Sequence, residues 1–184
     1  MSRGAMDAML GRRPLESFQA LIDYLSLKEG PAELLAESRV VFHELLTTKL
    51  QPMPGLFELL DLIEAVGLPK GVATSSPRDY LENVFGRFNL LNRFSVSLTA
   101  ESVTFGKPNP EIYLKAADLL GVLPGQMLVL EDTQTGTRAG AAAGAFVVSV
   151  PHDHTASHDF SQASYIATSL MDPYVVNLVR GATP

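Results

Sequence analysis

Four short apolar runs, Gly71-Val72-Ala73-Thr74, Phe94 to Leu98, Met127-Leu128-Val129-Leu130 and Ala145 to Val150, alternate with stretches of helical periodicity. That alternation constrains the fold more than any other feature. A strand buried on both faces reads as a continuous apolar run, and strands separated by helices return parallel through right-handed crossovers. Helices are predicted at Leu56 to Val66, Pro77 to Phe88, Pro110 to Leu120 and Thr137 to Ala143, with a last one from Asp172 to Val179. The expectation is an α/β chain with a doubly wound, Rossmann-like parallel sheet.

Ahead of this pattern the chain reads as helix only. Leu15, Phe18, Leu21, Ile22 and Leu25 recur at the spacing of a one-sided helix, Gly30-Pro31 breaks it, and Leu34 to Leu46 carries a second helical run. Gln51-Pro52-Met53-Pro54-Gly55 then interrupts the chain, so the predicted domains are a small all-helical piece at 1–49 and an α/β core at 50–184. A hydrophobic share of 46% supplies a real core for 184 residues, and a formal charge of -6 without a basic cluster beyond Arg12 and Arg13 argues against a nucleic-acid partner. The absence of cysteine removes thiolate nucleophiles and thiolate metal sites, so a nucleophile must be oxygen or nitrogen. Ala139 to Val150 is too short for a membrane span of about 20 residues, and Met1 to Arg13 lacks the apolar block of a secretory signal. The protein is expected in the cytoplasm, without a membrane partner.

In a doubly wound sheet ligands bind outside the carboxyl ends of the strands, and three polar sites fall there. Thr74-Ser75-Ser76 sets hydroxyls and free N–H groups before a helix, which suits a phosphate, although a serine there also serves as a plain helix cap. Gly106-Lys107-Pro108-Asn109-Pro110 restricts a lysine between a glycine and two prolines, although a loop lysine is commonly just solvated. Leu130-Glu131-Asp132-Thr133 puts two carboxylates where a buried strand runs out. One can hold Mg2+ while the other pairs with Lys107; alternatively Asp132 caps a helix and Glu131 faces water. Hydroxyl, ammonium and carboxylate together make phosphate handling the economical joint reading.

The succession Val72-Ala73-Thr74-Ser75-Ser76, Gly106-Lys107-Pro108-Asn109-Pro110-Glu111-Ile112-Tyr113, Leu130-Glu131-Asp132-Thr133-Gln134-Thr135-Gly136 and Ala141-Ala142-Ala143-Gly144 resembles the haloacid dehalogenase superfamily of hydrolases. More narrowly it resembles the helical-cap phosphatase and β-phosphoglucomutase-like branch, with residues 1–49 as a truncated cap. The resemblance implies that Thr74, helped by Ser75, binds the phosphoryl group and that Lys107 neutralises the phosphoryl oxygens and the nucleophile. It further implies that Asp132 is the foremost Mg2+ contact, with Glu131 beside it. The implied activity is Mg2+-dependent phosphoryl transfer through an aspartyl-phosphate, on a small phosphorylated metabolite such as a sugar phosphate.

The chain departs from that family at one place. The family's nucleophile lies in an Asp-x-Asp-Gly motif on the first core strand, and no such motif occurs here: Asp7 has Met9 at the second position, and Asp153 lies in a His-rich loop. The expectation is therefore that the first core strand, central in the family's sheet, is missing, that the chain alone is inactive, and that it self-associates through exposed sheet edges. A start assigned too far downstream, or a fragment, is preferred over a genuine non-catalytic phosphate-binding or partner-binding module. A third reading is a zinc site at His152, His154 and His158, set against a solvent-exposed loop running through Ser161.

Overall fold

The computed structural model describes residues 3–182. Three helices come first: α1 (Arg3–Met9), α2 (Pro14–Leu25) and α3 (Pro31–Thr48). Pro14 and Pro31 stand at first-turn positions, where the missing N–H would be unbonded in any case. From α4 (Leu56–Ala65) the chain alternates through β1 (Gly71–Ala73), α5 (Arg78–Arg87), β2 (Val96–Leu98), α6 (Glu111–Leu120), β3 (Leu128–Glu131), α7 (Gln134–Ala142) and β4 (Phe146–Ser149). A two-residue β5 (Tyr165–Ile166) and α8 (Pro173–Gly181) follow. No helix among the described residues is long and apolar enough to cross a membrane.

The α/β architecture with parallel strands is the one expected, with three differences. Helix α1 and strand β5 were not anticipated. Helix α7 begins at Gln134 rather than Thr137, and Thr133, not Asp132, is its N-cap: Thr133 Oγ1 accepts the Gly136 N–H at 3.1 Å. The third difference lies in the sheet itself. Gly71 pairs with Val96 and Ala73 with Leu98 in one ladder; Val129 pairs with Val147, and Ser149 with both Glu131 and Ile166, in another. Among the described residues the strands form two parallel sheets, β1-β2 and β3-β4-β5, rather than one.

Both sheets share a core although they share no ladder. Ile112, Tyr113, Ala116 and Ala117 of α6 pack with Val96 and Leu98 of the first sheet and with Val129 and Val147 of the second. Leu59 of α4 and Val175 and Val179 of α8 pack with Val148, forming a second apolar cluster. Between β1 and β3 lies a cavity of about 770 Å3, with Val72 and Ala73 on one side and Leu128 and Leu130 on the other.

Helix α7 approaches the second sheet through a residue without a side chain. A Cβ on Gly140 would stand 2.8 Å from Val147 Cγ2 and 3.3 Å from Val129 Cγ1. Both valines are stiff at χ1, so the contact cannot relax by rotation alone. Gly140→Leu is expected to destabilise the chain by about 2 kcal/mol despite the better helix propensity of leucine, lowering the thermal midpoint by roughly 4–8 °C. A midpoint equal to that of the wild type, read by circular dichroism, would show that α7 does not sit as close as described.

Candidate active site

The chain leaves β1 at Thr74, whose N–H continues the ladder to the Leu98 carbonyl at 2.9 Å and whose Oγ1 accepts the Ser76 N–H at 3.0 Å. Beyond β2, the Glu111 carboxylate at the start of α6 takes the N–H groups of Thr104 and Phe105 at 2.7 and 2.8 Å, which fixes the loop that carries Lys107. Those two hydrogen bonds, Phe105 first, hold the Glu111 carboxyl below its usual range.

Lys107 is only 8% exposed, and its ammonium donates to the Ala73 carbonyl at 3.1 Å and to Glu131 Oε1. Glu131, the last residue of β3, is equally buried; the Tyr113 hydroxyl donates to the same oxygen. Asp132 N and Thr133 Oγ1 each donate to Oε2 at 3.3 Å. A buried carboxylate is tolerable only when paired and hydrogen-bonded, and here it is both. Burial first, and the Glu131 charge second, push the Tyr113 hydroxyl well above its ordinary pKa, so it remains a donor.

Asp132 is turned outward and half-exposed. Desolvation in the cleft and then the Glu131 charge raise its carboxyl above the ordinary value, opposed by His152, whose Nε2 lies 3.3 Å from Oδ2. The carboxyl end of β3 thus carries one acid committed inward and one facing outward, and Asp132 is the one open to a cation. Glu131, also expected beside the metal, is engaged by Lys107 and Tyr113 at Oε1 and, at 3.3 Å, by Asp132 N and Thr133 Oγ1 at Oε2.

The three histidines do not converge, and the zinc reading is set aside. His152 faces Asp132 and accepts the His154 N–H on Nδ1 at 3.3 Å. His158 accepts the Gln134 N–H on Nδ1 at 3.2 Å and has Nε2 3.8 Å from Asp7. Among the described residues no three His, Cys, Asp or Glu side chains are grouped to hold a metal. The loop expected to be solvated is packed down at Thr155 and Phe160, both buried.

The segment between α1 and α2 lies across the mouth of this site. Ser75 Oγ and Thr135 Oγ1 donate to the Gly11 carbonyl at 3.2 and 3.0 Å, and Arg13 donates to the carbonyls of Val103 and Thr104 at 2.5 and 3.0 Å. Gly11 has φ of 76°, and a Cβ there would lie 2.9 Å from Thr133 Oγ1, so glycine suits it on both counts. Arg13 is thus tied to the backbone of the loop before Lys107, whereas Arg12 is exposed.

Thr74, Ser75, Lys107, Glu131 and Asp132 therefore meet at the carboxyl ends of β1 and β3, whereas His158 is turned to Gln134 and Asp7. Sequence reasoning missed the contacts of Tyr113, Thr135 and Gly11. The Tyr113 contact had a signal: a tyrosine on the apolar face of α6 needs a partner for its hydroxyl. Because the Asp132 carboxyl titrates higher in the folded chain than in the unfolded one, its contribution favours folding below the unfolded value and fades as pH rises through the folded one. Asp132→Asn is accordingly expected to raise the thermal midpoint at neutral pH in chelator and to flatten its fall as pH rises above the ordinary carboxylate range. A lower midpoint at pH 7 would reverse the sign of that argument.

A sequence profile of haloacid dehalogenase-like hydrolases matches residues 3–144. Validoxylamine A 7'-phosphate phosphatase of Streptomyces hygroscopicus subsp. limoneus is 40% identical over 102 residues, covering 55% of this chain and 48% of that protein. Hexitol phosphatase B of Escherichia coli (strain K12) is 35% identical over 124 residues, 66% of this chain and 56% of that one. The chain spans about half the length of such curated relatives. The crystal structure of β-phosphoglucomutase from Clostridium difficile superposes with a TM-score of 0.81 at 19% identity, covering 98% of this chain and 82% of the other, a likeness of fold. With the profile spanning most of the chain and the parallel α/β fold shared, the protein belongs to the haloacid dehalogenase-like hydrolases.

Proposed function

We propose that the carboxyl ends of β1 and β3 form the phosphoryl- and Mg2+-binding half of a phosphatase acting on a small phosphorylated metabolite, with a sugar or polyol phosphate as the substrate class. One observation carries the reading: a buried lysine held between the Ala73 carbonyl and Glu131, beside Thr74 and Ser75. Lys107 has three N–H donors and spends two, so one is left for a phosphoryl oxygen. Thr74, the backbone entering α5 and, once released from the Gly11 carbonyl, Ser75 supply further donors. The relatives named above act, by their names, on phosphorylated sugar-like compounds, which supports the substrate class.

Mg2+ is held by one or two carboxylates with water and phosphate oxygens completing its shell, and the outward, charge-crowded Asp132 fits that role. When bound, the ion supplies positive charge against the phosphoryl oxygens. Glu131 is assigned to Lys107. Residues 1–49 are read as the cap and 50–184 as the core, with the Gly11 strap at their junction.

No described side chain is placed here as the aspartate nucleophile. The cavity between β1 and β3 suits an extended apolar segment running parallel to both, which would deliver a carboxylate to the end where Lys107 and Asp132 stand. In the reading proposed here that segment carries Asp-x-Asp-Gly and forms the aspartyl-phosphate, while the open strand edges promote self-association when it is absent.

The first test is thermal unfolding of the 184-residue chain with and without inorganic phosphate and Mg2+. Both together are expected to raise the midpoint, and Asp132→Asn, which spares the buried pair, is expected to cancel the Mg2+ increment. The second is hydrolysis of a small phosphate ester. The chain alone is expected to give no turnover above buffer, since losing a covalent nucleophile removes on the order of 10^6 in rate in a serine protease. A chain extended upstream through an Asp-x-Asp-Gly strand is expected to be active and monodisperse by size-exclusion chromatography. Mg2+-dependent turnover by the short chain that vanishes in Lys107→Ala would mean that the nucleophile lies within these residues. Phosphate binding without activity in any form would favour a non-catalytic binder.

A further inference from the structure

We infer that Tyr113 and Gly136 are positioning residues: the Tyr113 hydroxyl and the absent side chain at Gly136 together hold the Glu131 carboxylate where it orients the Lys107 ammonium. The inference builds on the reading of Lys107 as the phosphoryl-binding cation. An ammonium is a compact charge on a flexible four-carbon stem, and its free N–H is directed only if the other two are anchored. One anchor, the Ala73 carbonyl, is backbone at the end of β1 and cannot turn. The other, Glu131, can rotate, so the geometry of Lys107 is only as fixed as that carboxylate.

Beyond the Asp132 N–H and Thr133 hydroxyl at Oε2, two features fix it. From α6, Tyr113 is 5% exposed and donates its hydroxyl to the oxygen that also receives Lys107. Its ring centroid lies 4.9 Å from Lys107 Nζ, so one side chain meets both members of the pair. From α7, Gly136 lies so close that a Cβ there would fall on the Glu131 carboxyl group, inside van der Waals contact. Glycine in a first helical turn weakens the helix, and here it admits the carboxylate against the amino end of α7. Without the hydroxyl, Oε1 keeps Lys107 as its one strong donor, and the buried charge gains by turning toward the cleft.

Tyr113→Phe separates the hydroxyl from the ring, keeping the packing of α6. The readout is a heteronuclear NMR spectrum tuned to lysine ammonium groups. Wild type is expected to show a slowly exchanging cross-peak that is lost in Lys107→Arg. Tyr113→Phe and Gly136→Ala are expected to shift or abolish that cross-peak, whereas Ile112→Val, a core change in the same helix, lowers the midpoint and leaves it in place. In parallel, phosphate in the presence of Mg2+ is expected to bind Tyr113→Phe about tenfold more weakly, the scale of one charge-assisted hydrogen bond. A Lys107 cross-peak unchanged in Tyr113→Phe would overturn the inference, as would unchanged phosphate affinity in a chain that binds phosphate. Should wild type fail to bind phosphate, the reading of the site falls, and the cross-peak still decides whether Tyr113 positions Lys107.

Discussion

A buried ammonium and carboxylate can stand only if each meets the other, and the Lys107–Glu131 pair is the contact on which the carboxyl edge of this protein depends. Lys107 comes from the loop after β2, reaches the end of β1 through the Ala73 carbonyl and the end of β3 through Glu131, and so ties two sheets that share no ladder. Truncating either partner would leave a buried charge alone, at a cost of about 3–5 kcal/mol. The same pair therefore serves stability as well as the chemistry proposed above, and variants at Lys107 mix the two; half-exposed Asp132 separates them better.

The divided sheet has a local logic. Strand β1 is bonded to β2 on one edge and β3 to β4 on one edge, which leaves the inner edges facing each other across an apolar cavity. Backbone N–H and C=O groups on such edges want partners, and a single parallel strand between them would serve both ladders at once. Helix α6 packs beneath both sheets, so the gap is spanned on that face by Tyr113 and Ala116 rather than closed.

Much of this was legible in the sequence, for stated reasons. Strands β3 and β4 are continuous apolar runs bounded by polar turns, and helices α4 and α6 carry one-sided periodicity; both signals come from burial, which these elements have. In α2 the same periodicity buries Leu21 and Ile22 but leaves Leu15 and Leu25 exposed. The placement of Thr74, Lys107, Glu131 and Asp132 at strand ends followed from the topology rule for parallel sheets. Other features left no local trace. Strand β5 has two residues, too few to show a period, and α1 has seven, rich in Gly, Ala and Met. The start of α7 was placed three residues late because Thr135 and Gly136 are poor helix formers; of Asp132 and Thr133, both good caps, only the three-dimensional bond to Gly136 selects the threonine. Arg13 reads as surface in sequence because its partners, the carbonyls of Val103 and Thr104, lie ninety residues away.

The strap over the site has a consequence for affinity. A hydroxyl donates one hydrogen bond, and in this arrangement those of Ser75 and Thr135 are given to the Gly11 carbonyl. A ligand that needs the Ser75 proton can use only those molecules whose strap has let go, so its apparent dissociation constant is the intrinsic one divided by the open fraction. Each tenfold tightening of the strap, about 1.4 kcal/mol in the contacts of Gly11 and Arg13, then weakens such a ligand about tenfold without touching any group that holds it. An acceptor that takes the Ser75 proton must thus compete with the Gly11 carbonyl, and the contacts of residues 11 to 13 set the terms of that competition.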